Sequence, residues 1–259
     1  MEISGQTVAV VTGASSGIGL ATALALARSG ARTAFLARSS SRLERASEEA
    51  RAIGAADAAS FGCDVRNEDQ VENAISAIVE RWGRVDILIN SAGLSLNGPV
   101  DGYALTDWRT VIDTNLTGTF LMCRAVVPFM KRQGSGQIIN VSSGAGRNGI
   151  ANMAPYCASK FGVIGLTEAL GLEVRNQNIR VSTILPGSVA TAFSRTANRE
   201  SQSEDSTQER TQERTEERGY KMTPDEVAGV IISMLEQPSQ GWMSEVTLRP
   251  LNLELRRRA

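Results

Sequence analysis

The chain of 259 residues contains no histidine at all, although histidine is the side chain whose ordinary pKa already lies in the physiological range. Proton transfer near neutral pH must therefore fall to a shifted phenol, amine or carboxylate. Cysteine is also scarce. Cys63, Cys123 and Cys157 are odd in number and share no short spacing, which argues against a disulfide framework and a zinc site and for a reducing compartment. No apolar run approaches the roughly eighteen residues of a membrane span, and MEISGQTVAVVTG passes from a polar start straight into a strand-like segment. These features predict a cytoplasmic protein. A net charge of −1 gives no electrostatic footprint for nucleic acid.

What is present is alternation. Short apolar or β-branched runs (TVAVVT, RTAFLA, AASFGC, VDILIN) alternate with helical patterns over 17–30, 41–53 and 67–82. Helical segments over 103–133, the strand QIINVS, a helix over 154–176, IRVSTIL, a helix near 223–236 and EVTL follow. This order predicts one α/β domain with a doubly wound parallel sheet of about seven strands. The strands lack period-two polarity, as expected when helices cover both sheet faces. Residues 194–221 break the pattern, with almost nothing apolar and the tetrads TQERTQERTEER at 207–218. As a helix this segment would stack Glu209, Glu213 and Glu217 and have no buried face. It reads either as a solvated insertion or as a substrate lid.

TGASSGIG, Thr12 to Gly19, follows the first strand and opens the first helix. Gly13, Gly17 and Gly19 allow a tight turn, close approach of backbone to a pyrophosphate and close helix packing, while the helix start attracts the anion. A free ribose 2′-hydroxyl would call for an acid at the end of the second strand, but that strand ends FLAR, with Ala37 and then Arg38. A guanidinium suits a 2′-phosphate, and Ser39 adds donors, so NADP(H) is expected over NAD; the alternative for Arg38 is a solvated surface arginine. Ser41 and Glu44, in S-R-L-E, match a capping box for the following helix.

The stretch APYCASKFG places Tyr156 and Lys160 four residues apart, on one face of a helix. Bringing a phenol from about 10 to about 7 requires roughly 4 kcal/mol. A positive charge about 4 Å away at an effective dielectric of about 20 supplies close to that. Tyr156 is thus the expected acid. Cys157 is expected to pack.

With these pieces in view, the chain resembles the short-chain dehydrogenase/reductase family over nearly its whole length. The motifs are TGASSGIG at 12–19, NSAG at 90–93, Asn115 in DTNLTG, Ser143 in IINVSSGAG, YCASK at 156–160 and PGSVAT at 186–191. The resemblance implies a Rossmann-type sheet and a catalytic group of Asn115, Ser143, Tyr156 and Lys160. Asn115 would hold a water that reconnects the lysine to solvent, and Lys160 would also bind the nicotinamide ribose. Implied cofactor contacts are Ser15, Ser16 and Ile18 in the glycine turn and Asp64 and Val65 beside the adenine. Asn90, Ala92 and Gly93 would follow the ribose side, with Pro186, Gly187, Val189 and Thr191 near the nicotinamide. The expected reaction interconverts a carbonyl and an alcohol of a small molecule by hydride transfer; the alternative is a silent NADP-binding regulator. Ser91 stands where relatives often carry a second asparagine, and VTLRPL lacks the Gly-Gly ending of fatty-acid ketoreductases.

The helix over 154–176 is apolar on two sides. Tyr156, Lys160, Val163, Thr167, Leu170 and Val174 share one face; Ala158, Phe161, Gly165, Ala169 and Leu172 share the other. The outer face of such a layer would meet water, so a homodimer or homotetramer through this helix is expected.

Overall fold

A computed structural model of the protein describes residues 2–191, 221–238 and 241–251. Its seven strands form one sheet in the order β3-β2-β1-β4-β5-β6-β7, with every neighbouring pair parallel. They are β1 (Val8–Thr12), β2 (Arg32–Ala37), β3 (Asp57–Gly62), β4 (Ile87–Asn90), β5 (Gly136–Val141), β6 (Ile179–Pro186) and β7 (Glu245–Leu248). The helices are α1 (Gly17–Arg28), α2 (Ser40–Ala52), α3 (Glu68–Trp82), α4 (Leu105–Ile112), α5 (Gly118–Gln133), α6 (Ala154–Val174) and α7 (Pro224–Leu235). The insertion or lid expected at 194–221 lies, Lys221 apart, outside the described residues.

β1 shows why the strands read as continuous apolar runs. Ala9 and Val11 join a core with Leu26 of α1, Leu43 of α2 and Val227 and Ile231 of α7, whereas Val8 and Val10 face Val71 and Ile78 of α3, Met122 of α5 and Val174 of α6. Alternate side chains enter opposite cores, so no polar face is left. The chain runs outward from β1 through β2 and β3, then crosses back to β4 on the other side of β1. A crevice must open at the carboxyl ends of β1 and β4, where the strand order reverses.

Between α4 and α5 the helix continues through one π turn, Asp113–Thr117, which carries Asn115. The expected capping box of α2 does not form. The helix starts at Ser40, with Ser39 as an extended N-cap that makes no side-chain cap bond, because the turn out of β2 closes two residues earlier than the S-R-L-E pattern, with Ser41 as its cap, suggests. A capping box does form at α7, where Thr223 accepts from the Glu226 amide at 3.2 Å and Glu226 accepts from the Thr223 amide at 2.6 Å. All three cysteines are buried and unpaired. Among the described residues no helix is long and apolar enough to cross a membrane, and no group of His, Cys, Asp or Glu is placed to hold a metal.

Candidate active site

A cleft of about 1160 Å³ opens at the carboxyl end of the sheet, over the predicted crevice. Its floor is the turn from β1 into α1. Gly13 has φ +66°, and a Cβ there would lie 2.9 Å from the backbone of Ala92, so only glycine lets the β1 and β4 turns approach this closely. Buried Thr12 fastens the two turns, accepting from the amides of Ser91 at 3.0 Å and Ala92 at 3.1 Å. The N-cap Ser16 makes no side-chain cap bond, which leaves the first amides of α1 facing the cleft. Such a cradle fits a pyrophosphate.

Most predicted cofactor residues line this cleft. Gly13, Ser15, Ser16, Gly17 and Ile18 line it from the β1 turn; Arg38, Ser39, Asp64 and Val65 line it from the turns after β2 and β3; Ala92, Gly93, Pro186, Gly187, Val189 and Thr191 line it together with Tyr156 and Lys160. Two predicted residues do not. Asn90 is buried in β4, where its amide donates to Asn140 Oδ1 at 2.9 Å and to Cys123 Sγ at 3.4 Å, so it ties β4 to β5 and α5 and does not line the cleft. Gly19 packs against the turn beneath: a Cβ would fall 2.5 Å from the Gly13 carbonyl oxygen.

Sequence reasoning missed two arginines. Arg42 and Arg66 line the same end as Arg38, and all three are exposed on its rim. Arg66 chelates Asp64 through Nε at 3.0 Å and Nη2 at 2.6 Å, which holds the Asp64 carboxyl below its ordinary range despite partial burial. Among the described residues Arg42, in the first turn of α2, makes no such ion pair. Its spacing of four residues from Arg38, across a turn leaving a strand's carboxyl end, was the available signal.

At the other end, Ser143, Tyr156 and Lys160 meet. Ser143 leaves β5 and caps a short 3-10 turn, accepting from the Ala145 amide at 3.2 Å, and its hydroxyl also bonds the Tyr156 hydroxyl. The serine thus caps the turn and also lies against the tyrosine hydroxyl. Ser142 is structural, donating to the Lys160 carbonyl at 2.9 Å and so clamping β5 to α6. Cys157 is buried in the small cluster around Tyr156.

The electrostatics differ from the expected arrangement. Burial raises the Tyr156 phenol above its ordinary value, with the Ser143 hydrogen bond opposing. Lys160 lies 5.7 Å from the Tyr156 ring centroid, donates to the Val141 carbonyl at 2.8 Å, and is itself pushed down to about 8 by burial. Removal of both groups from water outweighs the attraction anticipated from their spacing. The consequence is a phenol that keeps its proton at neutral pH, as a donor requires.

Asn115 does not line the cleft; it builds the wall. Its Oδ1 accepts from the Leu94 amide at 2.8 Å, and its Nδ2 donates to the Leu94 carbonyl at 2.9 Å and to Ser159 Oγ at 3.0 Å. The Asn115 carbonyl accepts from Thr119 Oγ1 at 2.8 Å. The π turn thus aims one side chain at both the β4 exit loop and α6.

A family model described as short chain dehydrogenase matches residues 7–202. The chain belongs to that family. It is an oxidoreductase that interconverts carbonyl and alcohol groups, and the assembled group of Ser143, Tyr156 and Lys160 gives no support to a silent binding protein. Among its relatives, a 3-oxoacyl-[acyl-carrier-protein] reductase of Synechocystis sp. is 36% identical over 241 residues, covering 93% of each chain. A D-threitol dehydrogenase of Mycolicibacterium smegmatis is 41% identical over 192 residues, 73% of each chain. The crystal structure of a variant actinorhodin polyketide ketoreductase with NADPH superposes with a TM-score of 0.86 at 34% identity, covering 96% of this chain and 97% of that one.

Lys160 makes a pH prediction. Its ammonium is present below about pH 8 in the ligand-free protein and is lost above it, whereas the Tyr156 proton persists higher still. Because kcat/KM reports groups of the free enzyme, the reductive kcat/KM is expected to fall as pH passes about 8. A profile flat well beyond that point would show that the charge on Lys160 is not required.

Proposed function

We propose that the protein is an NADPH-dependent reductase of ketones in a cytoplasmic setting, with the keto group of a β-ketoacyl compound as its substrate class. The observation that carries the reading is the buried Tyr156 hydroxyl bonded to Ser143 in a cleft whose glycine turn fits a pyrophosphate. A nicotinamide dinucleotide bound in that cleft supplies the hydride. The chain's own residues do the rest: a substrate oxygen seated between them replaces the bond between the Ser143 and Tyr156 hydroxyls and accepts from both, and Tyr156 releases its proton to that oxygen as negative charge develops on it. Lys160, held at Val141, keeps positive charge beside the phenol below about pH 8. Asn115 and Ser159 fix the wall against which the substrate lies, and by family resemblance Asn115 also holds a water leading from the lysine. The choice of a ketoacyl substrate follows the likeness to the 3-oxoacyl-[acyl-carrier-protein] reductase of Synechocystis, and that of a ketone the likeness to the actinorhodin polyketide ketoreductase. Oxidation of NADPH by the purified protein with β-keto esters tests the reading; no turnover with any ketone would overturn it.

The preference for the phosphorylated cofactor is supported by Arg38, Ser39 and Arg42 on the rim and by the absence of an acid at Ala37. Arg38→Ala is expected to weaken NADPH by roughly 1.5 to 3 kcal/mol, the worth of a charge-assisted hydrogen bond, and NADH far less. Titration of both cofactors against wild type and variant checks it; equal affinity of the wild type for the two would remove the assignment.

The assembly we infer is a homodimer, or a tetramer of such dimers, through α6. Ala158, Phe161, Gly165, Ala169 and Leu172 are exposed, Phe161 by 46% and Leu172 by 66%, so the α4–α5 segment that packs beside α6 leaves this face open. Phe120 of α5 and Trp108 of α4 are exposed apolar side chains as well.

A further inference from the structure

The loop after β4 is pinned more firmly than a surface connection needs. Leu94 is bonded through both its amide and its carbonyl to the Asn115 side chain. Leu96 accepts the Tyr103 hydroxyl at 2.8 Å, and the Gly98 amide donates at 2.9 Å to the carbonyl of Asn152, a residue held at φ +63°. Leu94 and Leu96 pack with Met153 against Tyr156, which places the loop at the catalytic end of the cleft. Between these fixed points Asn97 lines the cleft beside Leu94 and Met153. Its Oδ1 accepts from Ser95 Oγ at 3.1 Å, and Ser95 is buried. That bond holds the amide with its oxygen on the serine and its NH2 turned away from it. Among the described residues the Asn97 NH2 makes no hydrogen bond, and Leu94 and Met153, which also line the cleft, are apolar.

We propose that the Asn97 amide is a substrate subsite that donates a hydrogen bond to a second oxygen of the substrate, the acyl carbonyl oxygen of a β-ketoacyl group, while its keto oxygen lies on Tyr156 and Ser143. The assignment rests on the ketone-reductase reading above and adds to it. A rigid wall with one preset donor rewards a substrate that brings an acceptor there and penalises one that buries the donor against carbon. Neutral carbonyl oxygens fit this site; a carboxamide carries no charge with which to select an anion.

The test compares NADPH oxidation with ethyl acetoacetate and with methyl pentyl ketone, which has the same chain length but no acyl oxygen. The readout is the ratio of their kcat/KM values. In Asn97→Ala the ratio is expected to fall roughly tenfold toward the plain ketone, as the loss of one hydrogen bond implies. Asn97→Asp, of nearly equal size, should lower it at least as far, because a carboxylate faces the acyl oxygen with lone pairs. Damage to the loop alone would slow both substrates together and leave the ratio in place, and that result overturns the assignment while the reductase reading stands. Failure of the wild type to reduce either ketone overturns both.

Discussion

Tyr156→Phe is expected to lower turnover by about 10²- to 10⁴-fold, the usual contribution of a positioned general acid, while NADPH binding stays nearly unchanged. The ring is 8% exposed and packs in a cluster with Val111, Ala145 and Cys157, so phenylalanine fills the same space and loses only the hydroxyl. That hydroxyl is bonded to Ser143, which remains to orient a substrate oxygen but has no group to replenish a proton. Lys160→Ala should behave differently. It removes a buried ammonium, leaves the Val141 carbonyl without its donor, and empties the space beside Gly93, so cofactor affinity and turnover should fall together. Steady-state kinetics and cofactor titration on both variants separate the two patterns. A phenylalanine variant that kept most of its rate would require another acid, in a chain with no histidine to provide one.

The contrast between what the sequence revealed and what it hid follows the range of the interactions. β2 and β7 coincide with RTAFLA and EVTL residue for residue, because an apolar run bounded by turns is a local signal. The first helix stops at Arg28, two residues short of its pattern, where Gly30 takes φ +86°. Asn90 was assigned to the cofactor through a motif, yet its partners Asn140 and Cys123 lie 50 and 33 residues away, and only the sheet order shows that they consume its amide. Arg38 was legible because it directly follows the end of β2. Its neighbour Arg66 arrives from the turn after β3, a contact of topology that no spacing rule contains. The phenol's pKa failed for a related reason: i,i+4 spacing fixes proximity, but the degree of burial that sets the sign belongs to the whole fold. Asn97 carries no motif at all, and its orientation depends on three separate anchors of its loop.

Gly165→Arg is expected to convert the assembly to monomer with little loss of folding stability. The position is decisive because the two requirements separate there. A Cβ built at Gly165 meets nothing within 4 Å in the single chain, so a longer side chain extends freely into solvent when the protomer is alone. In an interface that brings two copies of α6 together along Ala158, Gly165 and Ala169, the same side chain would be driven into the partner helix with its charge desolvated. Glycine to arginine inside a helix even gains intrinsic propensity, by somewhat less than about 1 kcal/mol, so the isolated fold should not suffer. Exposure of Phe161 and Leu172 in the resulting monomer would lower solubility, which is a further sign to seek. Sedimentation velocity at micromolar concentration, with thermal unfolding alongside, reads both effects. A wild type that sediments as a monomer sinks the assembly outright. An arginine variant that keeps the wild-type oligomer would move the interface away from α6 and leave its apolar outer face without a role in assembly.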